Sequence, residues 1–392
     1  MLRGLPVQSL FIGFLAAFVG FASSFAVVLA GLSAVGANEA QAASGLMASA
    51  VAMGLCGIWL SWGTKLPLSA AWTTPGAALL AISGGVVGGF SYAVGAFVLC
   101  GALIVLAGLW RPFGRAVEAI PGSLANAMLA GILLTLCLAP IKAIAFDPLL
   151  GLPILLAWII GARINRFLGV PAALAAFALV VIFGVEFPAD WQAGLSASLV
   201  PQVELVMPSF SVSALLSIAL PLFIVTMASQ NVPGLAVLKA NGYTPNTGPT
   251  LATTGIFSLL AAPFGGVATN LAAITAAMLA GEDAGEDRDK RYVGAIICGV
   301  FYCLFGLFAS LTIAFVSLAP SILIEAVAGL ALISAFSAAA VNAFKVEAER
   351  PAAAITFLAA ACGISILGIS GAFWGLIAGG LMLAMLRTQK TD

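Results

Sequence analysis

The chain has 392 residues, 62% of them hydrophobic and 8% charged, with 15 Lys+Arg balanced by 15 Asp+Glu and no His. A soluble globular surface needs about a quarter of its residues charged. A soluble enzyme, a disordered chain and a fibrous chain are therefore excluded, and a mean hydropathy of +1.16 points to an all-α polytopic membrane protein. The missing His removes the commonest general base and transition-metal ligand. No metal site and no cofactor are expected, and the sparse charge leaves no basic patch for nucleic acid. Cys56, Cys100, Cys137, Cys298, Cys303 and Cys362 lie in apolar stretches without CxxC spacing and read as small packing residues.

The first segment follows directly on Met1-Leu2-Arg3 and lacks a small-residue cleavage site, so it reads as a retained helix and not a signal peptide. Apolar segments bounded by Pro, Gly or charge follow at 9–35, 42–62, 67–83, 85–110, 117–138, 148–162 and 168–185. After a polar connection at 186–211 come 212–232, 249–262, 264–280, 291–317, 319–343, 351–367 and 369–386. Fourteen segments are thus expected, seven in 1–185 and seven in 212–392. If the N-terminus is cytoplasmic, Lys65, Arg111, Arg115, Arg163, Arg166, Lys239, Arg288, Lys290, Arg291, Lys345 and Arg350 fall in inside loops. Arg3, Arg387 and Lys390 join them in the termini, and only Lys142 falls outside. That bias is what the positive-inside rule asks for, and it places both termini in the cytoplasm. An odd number of helices per half inverts one half relative to the other. Pro67, Thr73 and Ala77 recur as Pro263, Thr269 and Ala273, 196 residues on. Pro121 with the run to Gly131 echoes Pro320 with the run to Gly329. The pattern points to an inverted-repeat secondary transporter.

Three stretches interrupt the apolar runs. Leu68–Ala78 carries Thr73-Thr74-Pro75-Gly76, capping residues before a Pro favoured at the first helical position. Ala262–Ala272 carries Gly265-Gly266 and then Thr269-Asn270, and Thr226–Gly234 carries Ser229-Gln230-Asn231 before Pro233-Gly234. Broken backbone at membrane depth must line a cavity or be buried in protein. Segments three and ten therefore read as extended approaches leading into half-helices. Two such N-termini facing each other offer free N–H groups and positive dipole ends to an anion, without Lys or Arg. Trp72, Phe264, Phe21 and Phe25 are placed to wall an aromatic ring. The polar residues at these breaks either meet a substrate or tie broken backbone together, and Ser23 and Ser24 either meet it or pack helices. Two adjacent amides in an apolar helix need partners, which favours a site role for Gln230 and Asn231. Trp59 and Trp62 read as interfacial anchors, and Glu282 to Arg291 as a solvated loop. Glu325, the carboxylate set inside an apolar helix, either carries a proton or reaches the outer interface or a nearby amide. Glu118, close to Arg111 and Arg115, reads as an interface ion pair.

The strings at 68–80 (LSAAWTTPGAALL), 127–134 (AMLAGILL), 229–235 (SQNVPGL) and 263–272 (PFGGVATNLA) resemble the BenE family of benzoate:proton symporters, in order and over nearly the whole chain. More distantly the chain is similar to uracil-permease-type nucleobase transporters. The resemblance implies an inner-membrane importer of benzoate driven by protons. It also implies a core domain from segments 1–4 and 8–11 and a gate domain from segments 5–7 and 12–14, with the substrate against segments 1, 3, 8 and 10. Carried over, it puts Ser23 or Ser24, Thr73, Thr74, Gln230, Asn231, Thr269 and Asn270 at the substrate. Nucleobase permeases carry glutamates in segments eight and ten, and this chain has none there. An anionic substrate accounts for the loss, since a carboxylate would repel it. The proton then travels on Glu325 or with the substrate itself. The alternative substrates are a nucleobase or another small anion. A membrane enzyme would need an unaided Ser or Thr nucleophile, and a passive channel would not need a closed site. Small-residue faces allow packing within one chain or between two copies, so a homodimer is compatible with the sequence.

Overall fold

The computed structural model describes residues 7–84, 88–110, 112, 121–165, 168–187, 191–363, 365–366 and 369–388. Arg3, Arg111, Arg115, Glu118, Arg166 and Lys390, and the side chain of Arg387, lie outside this set.

The first half comprises α1 (Val7–Ala22), α2 (Phe25–Ala34), α3 (Glu39–Thr64), β1 (Ala70–Trp72), α4 (Thr74–Ser83) and α5 (Phe90–Leu109). It continues with α6 (Gly122–Cys137), α7 (Ala139–Phe146), α8 (Pro148–Ile164) and α9 (Gly169–Gly184). A short α10 (Trp191–Ala197) leads to α11 (Val212–Ala240), α12 (Thr247–Ala261), β2 (Thr269–Leu271), α13 (Ile274–Ala280), α14 (Arg291–Leu307) and α15 (Ala309–Val316). The chain closes with α16 (Ser321–Ala343), α17 (Arg350–Ala361) and α18 (Gly371–Thr388). Among the described residues seven helices are long and apolar enough to cross a membrane, α1 and α2 counting as one, α6 and α7 as another, and Arg288–Leu307 as the span containing α14. The fold is mostly helical, with two short strand pairs.

Several boundaries differ from the sequence reading for physical reasons. Segment one is not continuous: a turn at Ser23-Ser24 separates α1 from α2. The break expected at Pro233-Gly234 is absent, and α11 runs on to Ala240. A π turn at Met227–Asn231, whose closing bond runs from the Val232 N–H to the Met227 carbonyl, shifts the ladder past the proline's missing donor. The connection at 186–211 is not merely polar linker. It contains α10, and its extended part hydrogen-bonds back through Val206 N to Pro263 O (2.8 Å) and Ser209 N to Ser91 O (2.9 Å). Ser44 reinforces it, accepting from Glu204 N at 2.9 Å and donating to Phe264 O at 3.0 Å.

The offset of 196 between like residues is not the one at which structural elements recur. β1 and β2 begin 199 residues apart, as do Pro121 and Pro320, each the N-cap of its helix, α6 and α16. Helices α5 and α14 begin 201 residues apart. The match of Thr73 with Thr269 is a coincidence of a composition rich in small residues, because Thr269 opens its strand and Thr73 follows its own.

Helix α3 packs on α14, α5 on α12, α1 on α14 and α2 on α4, whereas α6 packs on α16 and α17, α8 on α9 and α17 on α18. Close approach depends on glycine: a Cβ on Gly31 of α2 would lie 2.5 Å from the Ala77 carbonyl of α4.

Candidate functional site at the crossed strands

β1 and β2 form a two-stranded antiparallel ribbon with Ala70 opposite Leu271, Ala71 opposite Asn270 and Trp72 opposite Thr269. Thr73 N to Ala268 O and Ala272 N to Ser69 O, both 2.9 Å, extend it at either end. Each strand feeds a half-helix, α4 of ten residues and α13 of seven. The strands run antiparallel, so the two N-termini leave opposite ends of the ribbon.

The donors at those termini are unequal. In α4, Thr73 Oγ1 accepts from Gly76 N at 3.2 Å and Pro75 has no N–H, so among the described residues Thr74 alone keeps a free one in the first turn. In α13 the first bonded-back N–H is that of Ala277, to Ala273 O. The N–H groups of Ile274, Thr275 and Ala276 are open among the described residues, as in any uncapped first turn. The opposite end of α13 is capped by Arg291, which is only 6% exposed. It donates to Ala280 O at 2.7 Å and to Gly285 O at 2.8 Å, meeting the negative dipole end. Arg291 is thus not part of the solvated loop as expected. Asp287 and Lys290 are: their exposed pair at 2.7 Å holds the Asp287 carboxyl below its ordinary range.

Four of the expected site residues are spent on holding this backbone. Asn231 is fully buried; its Oδ1 accepts from Leu271 N at 2.9 Å, and its Nδ2 lies 3.3 Å from Met227 Sδ. With its amide oriented to satisfy both neighbours, Asn270 accepts through Oδ1 from Thr73 N at 3.1 Å and donates through Nδ2 to Leu271 O at 3.0 Å. Thr73 Oγ1 also accepts from Thr226 Oγ1 at 2.8 Å. Ser24 Oγ accepts from Trp72 Nε1 at 2.8 Å and donates to Gly20 O at 3.1 Å. Ser23 is half-buried and returns its hydroxyl to Gly20 O at 3.3 Å. Thr269 Oγ1 is buried without a partner, while Ser258 Oγ accepts from its N–H at 2.8 Å. Thr74 and Gln230 are half-buried, and their side chains make no hydrogen bond to the described residues. Gln230 lies one turn beyond Thr226, which bonds Thr73 just ahead of α4. Among the described residues these two side chains are half-buried polar groups without a hydrogen bond, as the fully buried Thr269 hydroxyl also is.

The aromatic wall is partly as expected. Phe21 lies 5.2 Å from Trp72, 5.9 Å from Phe25 and 5.6 Å from Phe305 between ring centroids. Phe264 does not join them. It lines a separate groove of about 260 Å³ with Met47, Phe257 and Leu260, because the left-handed Gly265 (φ 80°) turns the chain between it and β2. Thr226 and Ser258 were not singled out from sequence. Their signal is weak, a lone hydroxyl in a helix being ordinary in membranes. Trp59 and Trp62 are exposed, with Lys65 Nζ 4.6 Å from the Trp62 ring.

A cavity of about 910 Å³ opens between α2, α6, α7 and α16. It reaches inward to Ala26, two residues past Ser24, and of the expected site residues Glu325 alone lines it.

Two strand-and-half-helix breaks meet inside a bundle of apolar helices, and the proteins this chain resembles are membrane transporters, not enzymes. Residues 4–385 match the family described as benzoate membrane transport protein, BenE, and the chain belongs to that family. It is 38% identical to the inner membrane protein YdcO of Escherichia coli K12, covering 98% of this chain and 97% of that one. It is 32% identical to the benzoate membrane transport protein of Acinetobacter baylyi ADP1, over 97% and 95% of the two chains. In fold it is similar to the transmembrane domain of the cyanobacterial bicarbonate transporter BicA, with TM-score 0.61, 17% identity and 95% and 97% coverage. It is also similar to the murine anion transporter Slc26a9 in its inward-facing state, with TM-score 0.60, 11% identity, and coverage of all of this chain and 69% of that one.

Proposed function

We propose that the protein imports benzoate or a similar aromatic carboxylate together with protons across the bacterial inner membrane. The observation that carries this reading is the uncharged donor set at the ribbon. Thr74 and Gln230 are free beside half-helix N-termini, with Trp72, Phe21 and Phe25 adjoining, and 68–78, 226–234 and 262–272 contain no charged residue. Oriented N–H groups and amides suit a carboxylate in a low-dielectric site, and the rings suit its aromatic body. Ser23, Thr74 and Gln230 are the contact residues of this reading; Ser24, Thr73, Asn231, Thr269 and Asn270 shape the site behind them.

Fourteen segments in two inverted sevens make up the proposed architecture, with both termini cytoplasmic. The 199-residue spacing of the strands and of the two N-cap prolines supports it. The core, α1–α5 with α11–α15, moves against the gate, α6–α9 with α16–α18, and exposes the ribbon to each side in turn. The 910 Å³ cavity lies on the seam between them, on the outer side in this orientation. A homodimer is compatible with this arrangement, and lipid surrounds the gate.

Gln230→Ala is expected to weaken benzoate binding roughly ten-fold, the scale of one intramembrane hydrogen bond, with the melting temperature unchanged. Titration calorimetry on the detergent-purified protein reads both wild type and variant. Equal affinities would remove Gln230 from the site. A neutral nucleobase displacing benzoate would favour the alternative substrate class.

A further inference from the structure

The outer cavity contains charge that the ribbon lacks. Three charged side chains line it: Glu39 at the start of α3, Lys142 on α7 and Glu325 on α16. The rest of the wall is largely Ala, Leu and Ile with a few hydroxyls. Lys142 is brought there by backbone packing. A Cβ on Gly329 of α16 would collide with the Leu136 carbonyl and with Pro140, so only glycine lets α16 lie directly against the α6–α7 junction. Glu325 sits one turn before Gly329 and Lys142 two residues after Pro140, which sets both on the same cavity. They form no ion pair in this structure: the described ion pairs are Lys290–Asp287 and Arg350–Glu347. The exposed Lys142 ammonium therefore faces the cavity unpaired. Helices α2, α6, α8 and α9, which also pack on α16, contribute no charged side chain to the lining. Among the described residues, Lys142 and Glu39 are the only other charged groups in it.

We propose that Lys142 is an entry subsite for the substrate carboxylate and that Glu325 competes with it for that cation, so that an anion enters when Glu325 is protonated. With both glutamates ionised the cavity carries one net negative charge and repels a second carboxylate from an apolar wall. A proton taken from outside water onto the Glu325 carboxylate removes that excess and leaves the ammonium to the substrate. No bond other than O–H forms or breaks, and the proton's source is bulk solvent. This gives the transporter a proton-linked step in a molecule with no acid at the ribbon, and it rests on the aromatic-carboxylate reading above.

The experiment measures the benzoate Kd of the purified protein between about pH 6 and 8, a range in which benzoate itself stays ionised. In wild type, Kd is expected to rise with pH, as linkage to one proton requires. Lys142→Met is expected to weaken binding about ten-fold or more, the scale of a lost charge-assisted contact, with Lys142→Arg recovering most of it. Glu325→Gln is expected to bind as tightly as wild type does at the acid end and to lose the pH dependence. Lys142 is exposed, so its exchange does not touch the core. Wild-type affinity in Lys142→Met, or an unchanged pH profile in Glu325→Gln, overturns the inference while leaving the ribbon site standing. No benzoate binding by wild type at any pH overturns both.

Discussion

Trp72→Ala is expected to cost the protein roughly 3–5 kcal/mol of stability, the range for emptying a fully buried aromatic site. The indole is 1% exposed, packs on Phe21 at 5.2 Å and donates to Ser24 Oγ at 2.8 Å. It therefore joins β1 to the α1–α2 turn. Its backbone N–H meets Met53 Sδ at 3.2 Å, an interaction the exchange leaves in place. Melting curves in detergent should drop by many degrees, and uptake into vesicles should be lost. Trp72→Phe separates the two roles: it keeps a ring against Phe21 and gives up the Ser24 bond, a loss of about 1 kcal/mol. A Trp72→Ala protein that melts like wild type would mean that the ring holds no part of the ribbon.

The second large effect belongs to Asn231. Its Oδ1 is the acceptor for the Leu271 N–H, both residues being fully buried. Asn231→Ala leaves that donor unpaired in a dry interior, which costs about 1–3 kcal/mol, and frees the end of β2 that leads into α13. Stability and uptake should fall together. The contrast with the adjacent residue is the informative part. Gln230→Ala removes a side chain with no hydrogen-bond partner among the described residues, so it should change affinity and leave the melting temperature alone. If Asn231→Ala instead weakened benzoate binding with no loss of stability, Asn231 would be a contact residue and the assignment of roles at this turn would be reversed.

These two neighbours also show where sequence reasoning stopped. The breaks at 73–76 and 265–270 were legible because Thr-Thr-Pro-Gly and Gly-Gly have few other uses inside an apolar run. The same logic failed at Pro233, where a π turn just upstream carried the helix through, and no residue announces a π turn. It also missed the turn at Ser23-Ser24, since paired serines among small residues usually mark helix packing. Chemical type placed Thr73, Asn231, Thr269 and Asn270 near the site, but type alone does not say whether an amide faces a ligand or a strand. That distinction needed the side-chain hydrogen bonds, which set Asn231 against the Leu271 N–H and the Asn270 amide against Thr73. Arg291 was placed in solvent by its charged neighbours, whereas its guanidinium turns back to the end of α13. The charge count isolated Lys142 from every other basic residue, yet its sharing a cavity with Glu325 depends on Gly329, far along the chain.

Binding of an aromatic carboxylate is the property on which the proposed transport function rests. The direct test is thermal stabilisation of the purified protein by benzoate, uracil and bicarbonate in parallel, since a ligand that binds only the folded state raises the melting temperature by mass action. Stabilisation by benzoate, with none from uracil or bicarbonate at equal concentration, is the predicted result. Stabilisation by uracil or bicarbonate with none from benzoate would contradict it, keeping the crossed-strand fold but ending the case for an aromatic anion at Gln230 and Thr74.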